Sequence, residues 1–197
     1  MNLRRRGQKA VGAHHLAAAH EEAMRRADDL RIERLLIRAL GRCKQRRARL
    51  TAQRIALLKL MLRERRPVTA YELLAMLGRL QHRAVSPMTI YRALEFLVRQ
   101  GLVAHLARRN AYVACEHVER DHAHLVFVCG DCGAATERDD RTTERRVAHA
   151  ASEIGFVPKP MTIEIDGLCK KCHDIGLQPR VRIPPRRSQS GVKIRSD

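Results

Sequence analysis

The chain has 197 residues and a formal net charge of +18 at pH 7. A chain of this length has room for one large domain or two small ones, and each small domain could bury only a modest core. Residues 1–110 contain 25 Lys and Arg against 8 Asp and Glu, whereas residues 111–176 contain 8 against 12. The front half therefore has the charge of a polyanion binder, while the half that follows is mildly acidic.

Membrane and secretory segments are not expected. No run approaches the roughly 18 consecutive apolar residues of a membrane span, and the basic N-terminus lacks the apolar stretch of a secretory signal. Six cysteines in such a chain favour metal sites over disulfides, as in a reducing compartment. We therefore expect a cytoplasmic protein without a membrane partner.

Residues 1–44 are predicted to form a basic helical extension. Its apolar residues Leu30, Leu35, Ile37 and Leu40 recur at helical spacing among charged residues. This pattern predicts a solvated amphipathic helix that could pack on the following domain.

Residues 45–107 have the pattern of a winged helix-turn-helix domain. Three helices are predicted at 52–63, 70–80 and 87–100; a capping box formed by Thr69 and Glu72 opens the second, and Ser-Pro at 86–87 opens the third. Two strand-like runs, 102–107 and 111–115, are joined by a basic turn. Helices followed by a hairpin with a basic tip are typical of DNA readers, and the alternative is a basic helical bundle.

The third helix of this domain is predicted to enter the DNA major groove. Its exposed N-terminal half would present Thr89, Tyr91 and Arg92 to the bases or phosphates. Arg54 and the two arginines of the basic turn would contact phosphates.

Two CxxC motifs supply four thiolates, which is the ligand set of a closed tetrahedral zinc site. They are Cys129 with Cys132 and Cys169 with Cys172, separated by 36 residues. This gap exceeds the spacing of a compact zinc ribbon, so two distant strand ends are predicted to deliver the motifs. Such a site is structural, and a redox role for the CxxC motifs is the weaker interpretation.

A second, looser constellation lies between the two halves. A mixed sulfur, nitrogen and oxygen set binds zinc less irreversibly than four thiolates and releases protons on binding, which suits a sensor. Metal at this junction could fix the orientation of two rigid parts. The candidate ligands are His105, Cys115, His117, His122, His124 and Glu137.

Over residues 35–176 the chain resembles the ferric uptake regulator (Fur) family, and within it the zinc-responsive regulators of zinc uptake. The matching segments are RLTAQR at 49–54, AYELL at 70–74, TIYRALEFL at 89–97, NAYVAC at 110–115, VCGDCG at 128–133 and GLCKKC at 167–172. The resemblance implies an α+β fold with an N-terminal winged-helix domain and a small C-terminal α/β dimerisation domain. The expected boundaries are 45–107 for the winged helix, 108–115 for the hinge and wing end, 116–176 for the dimerisation and metal-binding domain, and 177–197 for a disordered basic tail.

The resemblance also implies site residues. Cys129, Cys132, Cys169 and Cys172 match the structural zinc ligands, and Tyr71 and Arg92 match base-contacting positions. Cys115, His122 and Glu137 match three ligands of the regulatory zinc site, which gives two Zn²⁺ per subunit. The family's fourth ligand is a His where this chain has Ala104; we therefore predict His105, one residue later, with His124 as the substitute because a one-residue slip turns a strand side chain to the other face.

The expected function is a homodimeric, zinc-responsive repressor of zinc uptake genes that binds double-stranded operator DNA. The alternative within the family is an iron- or peroxide-responsive regulator. No catalytic residue and no small-molecule substrate are expected, because no paired-carboxylate or HExxH pattern is present and four thiolates leave no open metal position. A metal-dependent nuclease and a zinc buffer with incidental basicity are the rival classes.

Overall fold

The computed structural model describes residues 5–82, 84–118, 123–158 and 161–178, with side chains from residue 20 onward. The predicted disordered tail lies outside the described residues, apart from residues 177 and 178. The N-terminal part consists of four helices and an antiparallel hairpin: α1 (Arg5–Gln45), α2 (Ala52–Glu64), α3 (Ala70–Gln81), α4 (Pro87–Arg99), β1 (Val103–Leu106) and β2 (Ala111–Ala114). This arrangement confirms the predicted winged helix-turn-helix.

Helix α3 starts at the predicted capping box. The Thr69 hydroxyl accepts the Glu72 backbone N–H, and the Glu72 carboxylate accepts the Thr69 backbone N–H at 2.8 Å. The residue before the box, Val68, exchanges two backbone hydrogen bonds of 2.8 Å with Tyr112 of β2. The start of α3 is thereby fixed to the wing hairpin.

Helix α1 packs on this domain through a different stripe from the predicted one. Of the four expected apolar residues only Leu35 is buried, whereas Leu30, Ile37 and Leu40 are 56%, 67% and 43% exposed. The buried stripe is spaced by three or four residues, the period of a helix face, so residues such as Leu30 and Ile37 lie on a separate face. Its members are Ile32, Leu35, Ala39 and Cys43.

The C-terminal part is a three-stranded sheet with two helices. Its elements are β3 (His124–Cys129), β4 (Ala135–Arg138), α5 (Arg141–Glu153), β5 (Thr162–Gly167) and α6 (Lys170–Asp174). Strand β3 is central; it pairs antiparallel with β4 and parallel with β5. It begins at His124 and ends at Cys129, so each end of this strand carries a candidate metal ligand. Among the described residues, no helix is both long and apolar enough to cross a membrane.

Candidate metal centres and nucleic-acid interface

The four CxxC cysteines converge at one end of the C-terminal sheet. Cys129 ends β3, Cys132 lies in the turn that follows, and Cys169 and Cys172 flank the first turn of α6 after β5. All four sulfur atoms lie within 4.8 Å of one another, and the Cys132 and Cys169 Sγ atoms are 3.7 Å apart. A tetrahedron with zinc–sulfur bonds of about 2.3 Å has edges of about 3.8 Å, so the group fits a zinc ion.

Backbone N–H groups prepare this cluster for a cation. The Cys169 N–H donates to the Cys129 Sγ at 3.4 Å. This N–H, followed by those of Cys132 and Asp131, lowers the pKa of Cys129 to about 6. The Gly130 N–H donates to the Gly167 carbonyl at 2.8 Å and joins the two motifs. Peptide donors therefore stabilise the Cys129 thiolate, whereas burial and the neighbouring thiols raise the pKa of Cys172.

A second group joins three of the junction residues. Cys115 directly follows β2, His124 opens β3 and Glu137 lies in β4, and their ligand atoms lie within 4.8 Å of one another. The Cys115 Sγ is 3.3 Å from the His124 Nδ1, which is 2.6 Å from the Glu137 Oε1. Cys115 and His124 are buried. One sulfur, one nitrogen and one oxygen donor thus face one another between the wing and the sheet.

The surroundings of the Cys115 thiol favour its protonated form. Burial raises its pKa well above the usual value, and the negative charge and hydrogen bond of Glu137 raise it further. A cation entering this group must displace the thiol proton, and its charge would balance that of the Glu137 carboxylate. The donor set suits zinc, since thiolate and imidazole are both zinc ligands.

His105 lies away from this group. Its ring stacks on Tyr112 with centroids 4.8 Å apart, and its buried Nε2 has no hydrogen-bond partner among the described residues. A backbone hydrogen bond from the preceding residue, Ala104, lowers the pKa of Cys115 and partly offsets the effect of burial. Ala104 and His105 are neighbours on β1, so their side chains point to opposite faces, and the histidine that joins Cys115 and Glu137 is His124 of β3. His122, also predicted, lies outside the described residues.

The predicted DNA-contacting residues of α3 and α4 are accessible. Tyr71, at the start of α3, is 73% exposed, and Tyr91 is 43% exposed; Arg92 is exposed and Thr89 is half-buried. A groove of about 480 Å³ separates α4 from the wing, and His105 lies in it. Its lining residues are Met88, Tyr91, Arg92, Glu95, Val98, Arg99, His105 and Tyr112.

Arg54 and the wing arginines already have partners within the protein. The Arg54 guanidinium lies 3.6 Å from the Phe96 ring centroid and donates to the Arg49 carbonyl at 2.6 Å. This cation–π contact helps to hold α4, which carries Phe96, against the N-terminal end of α2. Arg108 and Arg109 of the wing turn form ion pairs with Asp166 of β5.

The model of the ferric uptake regulator family matches residues 45–166. The chain belongs to this family. It is 36% identical over 144 residues to the zinc uptake regulation protein of Escherichia coli (strain K12), a match that covers 73% of this chain and 84% of that protein. Members of the family are transcription regulators.

Two solved structures in the family superpose on the fold. One is a zinc uptake regulator complexed with zinc and DNA, with 35% identity, a TM-score of 0.67 and coverage of 73% of this chain and 96% of that one. The other is holo XcZur, with 38% identity, a TM-score of 0.62 and coverage of 68% and 93%. Most of α1 precedes the segment that matches the family model.

Proposed function

We propose that this chain is a zinc-responsive repressor of zinc uptake genes, which binds operator DNA as a homodimer in the cytoplasm. The observation that carries the proposal is the group of Cys115, His124 and Glu137, located where the wing meets the sheet. A thiolate in a regulatory site favours Zn²⁺ over Fe²⁺. The zinc regulators among its relatives support the same assignment.

Two zinc ions per subunit are part of the proposal. The four-Cys group would hold one permanently, because four protein thiolates close its coordination shell. Cys115, His124 and Glu137 would hold the other, with His122 as the further family-matched candidate. These three ligands come from the end of β2, from β3 and from β4, so an ion held by all of them connects the DNA-reading half to the sheet.

The energetic demand on the second site is moderate. Shifting the protein from 1% to 99% in its DNA-binding conformation requires zinc to favour that conformation by roughly 5.5 kcal/mol. A mixed-ligand zinc site can supply this. By linkage, bound operator must tighten zinc by the same factor.

The dimer would form through the C-terminal part, which exposes several large apolar side chains that a second copy could cover. We propose residues 116–176 as the dimerisation and metal-binding domain, 45–107 as the DNA-binding domain and 108–115 as the hinge between them. The exposed apolar residues are Phe127, Ile154, Phe156, Val157 and Ile175.

The test is operator binding at buffered concentrations of free metal. The operator is first selected from random duplex DNA with zinc-loaded protein, and its affinity is then titrated against free Zn²⁺ and against free Fe²⁺. We expect Zn²⁺ to restore binding, Cys115→Ser to abolish the zinc response, and Cys43→Ser to keep it, since Cys43 is a buried thiol outside both groups. Restoration by Fe²⁺ at a lower free concentration would identify an iron sensor instead, and no preference for operator over random DNA would indicate a zinc buffer.

A further inference from the structure

Helix α1 holds the backbone segment that leads from the wing to the mixed metal group. We infer that Arg31 of α1 is a positioning residue for this group: through Glu116 it fixes the orientation of the Glu137 carboxylate, while Arg42 holds the same backbone segment at Val118. Both arginines precede the segment that matches the family model. The inference rests on the proposed function, because it assigns Arg31 a role in zinc binding at that group.

Arg42 joins the end of the DNA-reading helix to this segment. It is only 7% exposed; its Nε donates to the Gln100 carbonyl at 2.6 Å and its Nη1 to the Val118 carbonyl at 2.9 Å. Gln100 caps α4, and Val118 is buried in the core. A guanidinium can serve two carbonyls at once because its donors are held in a rigid planar fork.

The backbone beside Arg42 is shaped around this guanidinium. Gly101 has a φ of +67°, and a Cβ atom at this position would lie 2.8 Å from the Arg42 Nη2. A side chain there would therefore combine backbone strain with a steric conflict. The absence of a side chain at Gly101, just after α4, therefore leaves space for Arg42 to reach the Val118 carbonyl.

Arg31 lies about three helical turns before Arg42 and contacts the side chain of Glu116. Its Nη1 donates to the Glu116 Oε1 at 2.5 Å, its Nη2 to the Leu62 carbonyl at 2.9 Å and its Nε to the Asp28 carboxylate at 3.0 Å. Arg31 is thus held by α1 and by α2 before it reaches Glu116. An arginine fixed by two other acceptors loses little further freedom when it binds a third.

Glu116 passes this constraint to the metal group through its backbone. The Glu116 N–H donates to the Glu137 Oε2 at 2.9 Å, and the other oxygen of the same carboxylate is 2.6 Å from the His124 Nδ1. One carboxylate oxygen is therefore occupied by a peptide donor, and the second is directed towards the other ligands. Hydrogen bonds to a ligating carboxylate of this kind set its orientation and tune metal affinity.

The test measures zinc affinity at the mixed group in Arg31→Gln. Full-length protein that retains the four-Cys zinc is stripped of the second ion by a mild chelator and titrated with Zn²⁺ against a fluorescent zinc indicator. Arg34→Gln is the matched control, because Arg34 lies one turn further along α1 and its Nε donates to the Leu30 carbonyl within the same helix. Co²⁺ substitution gives a second reading, since the thiolate-to-cobalt absorption reports the geometry around Cys115.

We expect Arg31→Gln to weaken zinc binding about threefold to tenfold, which is less than the roughly 10- to 100-fold typical of a direct partner of a ligand. Its cobalt spectrum should change, Arg31→Lys should recover part of the affinity, and Glu116→Gln should add nothing in the Arg31→Gln background. Equal zinc affinities in Arg31→Gln and Arg34→Gln, even with a lower melting temperature for the former, would make Arg31 merely structural and overturn the inference. If the parent and Cys115→Ser took up the same amount of zinc, the proposed sensor site itself would be absent and both proposals would fail.

Discussion

Arg109, in the wing turn, donates a hydrogen bond of 2.5 Å to Asp166 near the end of β5. Arg108 lies 3.4 Å from the other oxygen of the same carboxylate, and its backbone N–H points to Glu164. The wing arginines, predicted to contact phosphates, therefore share an ion-pair partner in the C-terminal part. To reach DNA they must exchange Asp166 for a phosphate.

Asp166→Asn should strengthen DNA binding, because the wing arginines no longer have to leave a carboxylate. Exposed ion pairs contribute about 0.2–1 kcal/mol, so we expect operator affinity to rise by no more than about fivefold. Fluorescence anisotropy at several salt concentrations measures this change. Asp174→Asn is the control, since it removes one exposed acidic charge from the same part of the chain; an equal gain there would mean that net charge alone is responsible.

Replacing each candidate histidine in turn tests which of the two binds zinc at the second site. His124→Ala should weaken the second zinc site by more than the roughly 10- to 100-fold typical of an outer-shell partner, because it removes a ligand itself. His105→Ala should leave zinc affinity unchanged, since its ring lies against Tyr112 in the groove beside α4. Competition with a zinc indicator measures both variants. Loss of zinc in His105→Ala with retention in His124→Ala would reverse the assignment.

Cys132→Ser should release the structural zinc and destabilise the C-terminal part. The four sulfur atoms lie within 4.8 Å of one another, so a zinc ion bound to them would join β3 to α6, and three ligands would hold the ion less tightly. Zinc content and sedimentation should show one ion fewer per subunit and loss of the dimer. Cys115→Ser serves as the comparison, because it should keep both the four-Cys zinc and the dimer; a stable dimer of Cys132→Ser without this zinc would contradict the prediction.

Arg92→Ala should cost roughly 1–3 kcal/mol of operator binding if Arg92 reads a base edge. Arg92 is exposed on α4 beside the groove. Comparing operator with random duplex DNA separates the two kinds of contact. An equal loss on both DNAs would identify a phosphate contact.

Glu72→Gln should weaken the capping box of α3 at neutral pH. The Thr69 N–H, together with the Arg66 guanidinium, holds the pKa of Glu72 below its usual value despite partial burial. A carboxyl whose folded pKa is depressed stabilises the fold above its unfolded pKa, and this contribution is lost as pH falls through the folded pKa. We expect a deficit below about 1 kcal/mol at pH 7 that shrinks below about pH 4.5. Urea unfolding across this range measures it, with Glu33→Gln on the exposed face of α1 as control.

Local signals were sufficient for most of the fold. The Thr69–Glu72 capping box and the Ser-Pro pair at 86–87 correctly predicted where α3 and α4 begin, because the start of a helix depends on residues that are adjacent in sequence. The CxxC spacing likewise predicted the four-Cys group. In each case the residues that decide the outcome are close in sequence or carry an unusual side chain.

Long-range contacts could not be obtained in this way. Choosing between His105 and His124 depends on which face each strand turns to the junction, and that depends on pairing register rather than on residue type. The apolar stripe predicted for α1 was wrong apart from Leu35, because packing against the other helices selects the face that carries Ile32 and Leu35. The hydrogen bonds from Arg31 to Glu116 and from Arg42 to Val118 span 85 and 76 residues. Local sequence patterns do not predict contacts over such distances.

Strand β3 carries His124 at one end and Cys129 at the other, about 17 Å apart at the usual rise of a strand. Its register with β4 places Val126 opposite Glu137. The turn between β3 and β4, which contains Cys132, therefore also determines where Glu137 lies. The two proposed zinc sites are therefore linked through one hairpin. We expect loss of zinc from the four-Cys group to displace Glu137 from Cys115 and His124 as well, so that the proposed regulatory site would weaken with it.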